Sequence, residues 1–322
     1  MPVSVVVPVY NSEQCLRELA RRIGRVLESH NDSYELILVN DASRDRSWEV
    51  ICELAALYRW ISGINLTRNF GQHNALLCGI RLAQYSTIVT LDDDLQHPPE
   101  EIQVMLERLA QGYDVVYGTP DREEHGLWRN VASRITKMAL QSAMGAQTAR
   151  KVSAFRAFRT AMRDAFETYR GPFVSIDVLL SWATTRFTTV RVRHERRLTG
   201  VSNYTLRKLI RHALNMMTGF SAVPLQLASL IGFAFTLFGL GVLGFVISRY
   251  LVYGSAVPGF AFLASVIAIF SGAQLFALGI MGEYLARMHF RLLDRPAYTV
   301  RGFAGAQTPA PSGAALENRA RA

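Results

Sequence analysis

Three adjacent aspartates, Asp92, Asp93 and Asp94, follow the short run Thr87–Leu91 and precede Leu95, Gln96, His97 and Pro98-Pro99-Glu100-Glu101. The run before them is apolar and β-branched and reads as a buried strand. The prolines and glutamates after them suit the first turn of a helix. Carboxylates packed this densely repel one another, and a hard divalent cation held by oxygen ligands relieves that repulsion. Asp92, Asp94 and Gln96 alternate, so an extended backbone points all three the same way. Strand, acidic cluster, loop and helix in that order is the layout of a ligand site at the carboxyl end of a parallel sheet. A solvated acidic turn that caps the next helix is the bland alternative, and the spacing alone leaves it open.

Other elements must hold that cluster in place. Apolar runs at Val3–Val7, Tyr34–Val39, Ile61–Leu66, Thr87–Leu91 and Asp114–Tyr117 alternate with helical patterns. The first helix is capped by Asn11 or Ser12 and runs to Glu28; the others end at Leu57, Ala83 and Leu109. This alternation predicts an α/β fold: a Rossmann-like, doubly wound, mostly parallel sheet covered on both faces. The glycine-rich dinucleotide fingerprint is missing from the first strand–helix turn. The strand ends carry acids instead, Asp41 and Asp45 after the second and the three aspartates after the fourth. Beyond Gly118 the pattern predicts helices over Trp128–Met144 and Ala157–Tyr169 and a strand over Phe187–His194. A basic loop, Arg196–Tyr204, then leads to a helical pattern with Leu206, Leu209, Ile210, Ala213, Leu214, Met217 and Phe220 on one side. Arg207, Lys208 and Arg211 lie on the other, as suits an amphipathic helix at a membrane interface.

The chain has 322 residues, a formal net charge of +9 and a pI near 9.7. Such a balance fits nucleic acid or an anionic membrane face. No aromatic-interleaved basic platform and no zinc-finger spacing is present, so the reading is membrane and no nucleic acid. Cys15, Cys52 and Cys78 have no paired spacing, which argues for buried thiols in a reducing compartment. No charged-then-apolar leader precedes the first strand, so no cleaved signal peptide is expected. Leu225–Ser248 and Val257–Gly282 contain no charged residue. Each is longer than the ~20 residues that cross a bilayer core. Arg207, Lys208 and Arg211 precede this pair, and Arg287, Arg291 and Arg295 follow it. The positive-inside bias therefore places both ends of the hairpin in the cytoplasm, predicting a multi-pass protein of the inner membrane whose N-terminal domain faces the cytoplasm. Glycines in the two spans allow packing within one hairpin or between chains, so a homo-oligomer is left open. The expected organisation is a catalytic domain at 1–200, an interface helix at 201–222, the hairpin at 223–286 and a cytoplasmic tail at 287–322. The end of that tail, rich in Ala, Pro, Gly and Ser, is expected to be disordered.

An ordered set of short motifs runs through these elements: Val5-Val6-Val7-Pro8-Val9-Tyr10-Asn11, Asn40-Asp41-Ala42-Ser43, Arg68-Asn69-Phe70-Gly71-Gln72-His73, Leu91–Glu100, Phe155-Arg156, Arg197-x-x-Gly200-x-Ser202 and Gly282-Glu283-Tyr284. With the hairpin, the set resembles the inverting A-type-fold glycosyltransferases that make polyprenyl-phosphate sugars. It is more similar to the undecaprenyl-phosphate glucosyl and formamidoarabinosyl transferases than to the dolichyl-phosphate mannose synthases. The resemblance implies a nucleotide-sugar donor, a UDP-sugar by its bacterial branch, and a polyprenyl phosphate acceptor in the lipid bilayer. It implies that Pro8, Tyr10, Asn11, Asp41, Asp92, Asp93 and Arg122 bind the nucleotide. Asp92, Asp94 and Gln96 would ligate Mg²⁺ or Mn²⁺, and Arg156, Arg197, Ser202 and Arg207 would receive the acceptor phosphate. Asp92, Asp94 and Arg156 would then be the catalytic set.

Two departures stand out. The segment before Phe155-Arg156 reads Ala149-Arg150-Lys151-Val152-Ser153, where the family often has an acid. Asn203 follows the serine of the basic loop, where a lysine is frequent. The first removes a candidate general base, yet a lipid monophosphate with a second pKa of ~6 is already ionised at cytoplasmic pH and needs none. A hydroxyl acceptor such as a diacylglycerol does need a base, so the missing acid argues against that alternative. The intact D-x-D-x-Q run argues against a non-catalytic membrane adaptor.

Overall fold

The computed structural model describes residues 1–30, 33–120, 152–171, 174–195, 222–253, 259–293 and 295–305. Strands β1 (Val3–Val9), β2 (Tyr34–Asn40), β3 (Ile61–Leu66) and β4 (Thr87–Thr90) alternate with helices α1 (Glu13–His30), α2 (Ser47–Leu57) and α3 (Gln72–Leu82). A 3-10 turn, Pro99–Glu101, then opens α4 (Ile102–Ala110). Next come β5 (Val115–Pro120), β6 (Arg156–Arg159), α5 (Ile176–Ala183) and β7 (Phe187–Val192). Two long helices, α6 (Val223–Tyr253) and α7 (Phe260–Leu292), precede a final strand β8 (Val300–Ala304). The strands form one sheet in the order β7-β5-β6-β4-β1-β2-β3-β8. The pairs β4–β1, β1–β2 and β2–β3 are parallel, while β6 and β8 run antiparallel to their neighbours.

Alternation along each strand sends successive side chains to opposite faces. Val3, Val5, Val7 and Val9 therefore pack with Leu16, Leu19 and Ile23 of α1, Ile51 of α2 and Met105 of α4. Val6, Ile37 and Val39 face the other way, onto Leu76, Leu77 and Ile80 of α3 and Ile176, Leu179 and Leu180 of α5. Strands buried on both faces explain the near-continuous apolar runs of the sequence.

Two stretches differ from expectation. Residues 157–169 were expected as a helix, but Arg156–Arg159 is a strand inserted antiparallel between β4 and β5, and Thr160–Phe166 is a 3-10 stretch. Four residues are too few to display a period of two, and the partners on either side decide their conformation. The second difference concerns the tail. Val300–Ala304 pairs with β3, Leu66 opposite Val300 and Gly63 opposite Ala304, so the sheet is completed from beyond the hairpin. The expected helices at 128–144 and 206–220 lie outside the described residues.

Helices α6 and α7 include apolar spans at Val223–Val252 and Ile269–Phe290 with mean hydropathy 2.4 and 1.3, and neither span is buried by protein. They pack on each other through Phe235 and Phe270, whose rings meet edge to face at 5.7 Å. Gly239 lies beneath the Phe270 ring, where a Cβ would come within 2.9 Å of Cζ. Because β8 belongs to the same sheet as β1–β7, the strands on either side of the helical pair lie on one side of any membrane it crosses.

Candidate active site

The strand order reverses between β1 and β4, and the loops after β1, β2, β3 and β4 gather at the carboxyl edge of the sheet. Such a switch point opens a crevice for a ligand. Each loop contains one left-handed residue: Asn11 at φ 56°, Ala42 at φ 53°, Gly71 at φ 94° and Leu95 at φ 60°. Glycine adopts this region freely, but each non-glycine residue there costs of order 1–2 kcal/mol, and such strain clusters at functional sites. Side-chain hydrogen bonds hold the loops in shape. The Asn11 backbone N–H donates to Ser43 Oγ at 3.0 Å, and Asn11 Oδ1 accepts from the Arg44 N–H at 2.8 Å. Asp45 accepts from the Glu13 N–H at 3.1 Å and from the Ser47 hydroxyl at 2.6 Å.

The acids of these loops do different work. Asp41 is buried, and its two oxygens accept the backbone N–H groups of Phe70 at 2.7 Å and Gly71 at 2.8 Å. Burial pushes its pKa up, and the two N–H groups oppose that rise. Asn at this position would offer only one acceptor oxygen. Asp41→Asn should therefore loosen the 67–72 loop, seen as amide exchange about tenfold faster or more at Phe70 or Gly71, a lost hydrogen bond to a charged group being worth ~1.5–3 kcal/mol. Asp93 turns toward the first loop, where its Oδ2 accepts from the Ser12 hydroxyl at 2.6 Å and the Tyr10 N–H at 3.0 Å. Burial raises its pKa while these two donors lower it. Gln72 Nε2, at the start of α3, donates to Asp92 Oδ1 at 2.5 Å. Asp94 Oδ1 accepts the Gln96 N–H at 3.1 Å and so turns its own loop. Hydrogen bonds thus relieve part of the repulsion that the sequence shows.

An open cleft of about 620 Å³ lies among these loops, lined by Pro8, Val9, Tyr10, Asp41, Asn69, Gly71, Gln72, Asp92, Asp93 and Asp94. Of the residues expected to bind nucleotide, the structure brings together Pro8, Tyr10, Asp41, Asp92 and Asp93. Asn11 shapes the loop instead of lining the cleft. Arg122, Arg197, Ser202 and Arg207 lie outside the described residues. Asp94, expected as a metal ligand, lines the cleft too, and Val9, Asn69, Gly71 and Gln72 complete the lining; these four sat inside motifs singled out in the sequence but carried no assigned role.

The donor set suits a hard cation in one respect. Asp92 and Asp94 offer carboxylate oxygens at the cleft, and Mg²⁺ is commonly held by one or two carboxylates together with substrate phosphates. Among the described residues no group of three or more His, Cys, Asp or Glu forms a closed cage. The residues fit an open site that substrate oxygens complete, with Gln96 on the next loop residue but one.

Arg156 departs from its expected place. It is 2% exposed, and its guanidinium donates to both oxygens of Asp177 at 3.0 and 3.2 Å and to Thr90 Oγ1 at 3.1 Å. Tyr117, fully buried, donates its hydroxyl to the same Asp177 at 3.1 Å. The guanidinium expected to receive phosphate is held here in an internal ion pair beneath the end of β4. Asp177 gave no sequence signal, since a single acid in an apolar helix reads as a first-turn residue.

The segment leaving β7 runs against the loop that carries the aspartates. The Glu195 N–H donates to the Gln96 carbonyl at 2.8 Å, and the His194 ring meets His97 edge-on at 5.1 Å. Arg22 of α1 bridges Glu100 at 2.6 Å and Glu195 at 3.4 Å. Burial, followed by the neighbouring His194, depresses the His97 pKa to about 4 and keeps that ring neutral. The chain at Glu195 therefore lies against Gln96, two residues beyond Asp94.

Comparison with known proteins decides what this cleft belongs to. Residues 4–170 match the family described as Glycosyl transferase family 2. The chain belongs to glycosyl transferase family 2. An undecaprenyl-phosphate 4-deoxy-4-formamido-L-arabinose transferase of Pseudomonas paraeruginosa is 36% identical over 92% of this chain and 89% of its own. Proteins of the same name from Pseudomonas aeruginosa and Pectobacterium atrosepticum are 35% and 34% identical over 98% and 95% of the chain. Among solved structures, the glucosyl-3-phosphoglycerate synthase of Mycobacterium tuberculosis, crystallised with Mn²⁺, UDP and its product, superposes with a TM-score of 0.52. Its identity is 16%, over 69% of this chain and 80% of that one, a likeness of fold. This family 2 enzyme is a glycosyltransferase of the A-type fold with a two-helix transmembrane hairpin, which makes it a membrane protein.

Proposed function

We propose that the enzyme transfers a sugar from a nucleoside diphosphate sugar, a UDP-sugar by preference, to the phosphate of undecaprenyl phosphate at the cytoplasmic face of the inner membrane. The observation that carries this reading is the aspartate-lined cleft at the carboxyl edge of the sheet. Glu195, the residue before the basic loop, donates its N–H to the carbonyl of Gln96, two residues beyond Asp94. The relatives named as undecaprenyl-phosphate sugar transferases span nearly the whole chain, hairpin included, which supports the acceptor. The mycobacterial synthase held UDP and Mn²⁺, which supports the donor and the metal.

The chemistry follows from charge. An oxygen of the lipid phosphate attacks the anomeric carbon, the bond from that carbon to the β-phosphate oxygen breaks, and the nucleoside diphosphate leaves with the electron pair. In-line attack inverts the anomeric centre. Asp92 and Asp94, with Gln96, would hold a divalent cation, which would supply charge neutralisation at the leaving diphosphate. Pro8, Tyr10 and Asp41 border the part of the cleft suited to base and ribose. Arg197, Ser202 and Arg207 are assigned to the acceptor phosphate, where guanidinium groups bind phosphate in a fixed geometry. The nucleophile is ionised on its own, so no side-chain base is required. Arginines on both flanks of the hairpin set the orientation with the catalytic domain in the cytoplasm.

Acceptor competition tests the proposal. With one labelled donor and the full-length protein in detergent, undecaprenyl phosphate should yield labelled lipid, whereas undecaprenol and diacylglycerol should not. Labelled diacylglycerol as the sole product would refute the assignment of the acceptor.

A further inference from the structure

The loop 67–71 joins β3 to α3 and lines the cleft with Asn69 and Gly71, while Gln72, the first residue of α3, lines it beside Asp92. On the cleft side Asp41 holds this loop by the N–H groups of Phe70 and Gly71. Its two ends are held by a different part of the chain. The Thr299 carbonyl accepts the Thr67 N–H at 2.9 Å, and Arg301 donates to the Thr67 carbonyl at 3.1 Å. Both backbone groups of the first loop residue are therefore engaged by residues more than two hundred positions away, and Val300 pairs with Leu66 just before it. The far end of the loop is gripped through α3. Tyr298 accepts a hydrogen bond from Arg81 at 3.5 Å, the Arg81 guanidinium lies 5.7 Å from its ring centre, and its hydroxyl reaches the buried thiol of Cys78. Ala297 is buried in the core cluster that holds Ala75, Leu76 and Leu77 of α3. The residues 297–301 thus meet both elements that the loop connects. They lie beyond the stretch 4–170 that matches the family, and they follow α7.

From this we infer that Tyr298 and Arg301 are positioning residues of the donor site, which keep the loop 67–71 in the conformation that the nucleotide meets. Neither lines the cleft, so they act through Thr67 and α3 and not on the ligand. The physical reason is the thinness of the loop's own support. Within it, Arg68 lies 4.6 Å over the Phe70 ring, and the Asn74 side chain donates to the Phe70 carbonyl at 2.6 Å. Segments with few buried contacts open locally at low cost, and a site that is competent for only part of the time binds more weakly by that fraction. Once donor is bound the loop is ordered, so turnover at saturation is spared. The inference rests on the reading of the cleft as a donor site. It adds that the chain beyond the hairpin completes that site.

The double variant Tyr298→Phe with Arg301→Ala, in the full-length protein in detergent, removes both side-chain anchors and leaves the pairing of β8 with β3 in place. Amide exchange over 67–72 should become about fivefold faster or more, while exchange in β1 and α1 and the unfolding temperature stay as in the wild type. Calorimetric affinity for UDP with Mn²⁺ should fall about threefold or more, with kcat at saturating donor within about twofold of the wild type. Arg301→Lys, which keeps a cationic donor, should retain the wild-type exchange and affinity. Unchanged exchange over 67–72 in the double variant overturns the inference. Faster exchange throughout the domain with a lowered unfolding temperature also overturns it, because the segment is then general scaffolding. So does a loosened loop with undiminished affinity for UDP. A wild type that binds no UDP with Mn²⁺ would sink the donor reading instead, and exchange alone would then decide whether these residues fix the loop.

Discussion

Asp94→Asn is expected to lower sugar transfer about a thousandfold, while Asp93→Asn lowers it less than tenfold. Asparagine keeps an oxygen where Asp94 accepts the Gln96 N–H, so the loop survives and only the charge is lost. A cation at a leaving diphosphate contributes several kcal/mol of transition-state stabilisation, and each 1.36 kcal/mol is a factor of ten. Asp93 has the same charge but spends it on Ser12 and Tyr10, contacts that an amide oxygen preserves. Steady-state rates of both variants at saturating metal, with unfolding temperatures as a control on folding, check the contrast. Equal losses would mean that the three aspartates act as one undivided cluster and that the partition drawn from their hydrogen bonds is mistaken.

The second large effect concerns stability. Asp177→Ala should destabilise the catalytic domain by about 3–5 kcal/mol, since it leaves the Arg156 guanidinium buried without its partner. For a domain of this size that lowers the unfolding temperature by roughly 6–20 °C. The double change Arg156→Met with Asp177→Leu should recover much of the loss, because removing both charges removes the desolvation cost as well. Thermal unfolding in detergent, followed by circular dichroism, reads both. A double variant that regains stability but not activity would point to a direct part for Arg156 in catalysis. Activity that returns with stability identifies the pair as the support under β4.

Much of this was legible in the sequence wherever local chemistry decides structure. The apolar runs of β1 to β4 announce themselves because both faces of those strands are buried. The D-x-D-x-Q spacing announces the cleft because the acids stand where a strand must end. Legibility failed where a distant partner decides. Arg156–Arg159 becomes a strand only because β4 and β5 present edges on either side, and Val300–Ala304 only because β3 leaves an edge open. The same holds for side chains. Phe155-Arg156 carries the family resemblance, but nothing in its spacing reveals that Asp177, some twenty residues on, claims the guanidinium. Nor could spacing show that Asp93 faces the first loop, since three identical residues in a row carry no mark of direction.

The central claim is that a nucleotide-sugar is consumed and a lipid-linked phosphosugar is made. The most direct measurement presents the purified full-length protein with a panel of radiolabelled UDP- and GDP-sugars, undecaprenyl phosphate and Mg²⁺ or Mn²⁺, and follows label into the organic phase. A labelled lipid is expected from one UDP-sugar, abolished when the metal is chelated and restored when it is returned. Labelled lipid that forms equally well with the metal chelated, or no lipid product from any donor, would contradict the account.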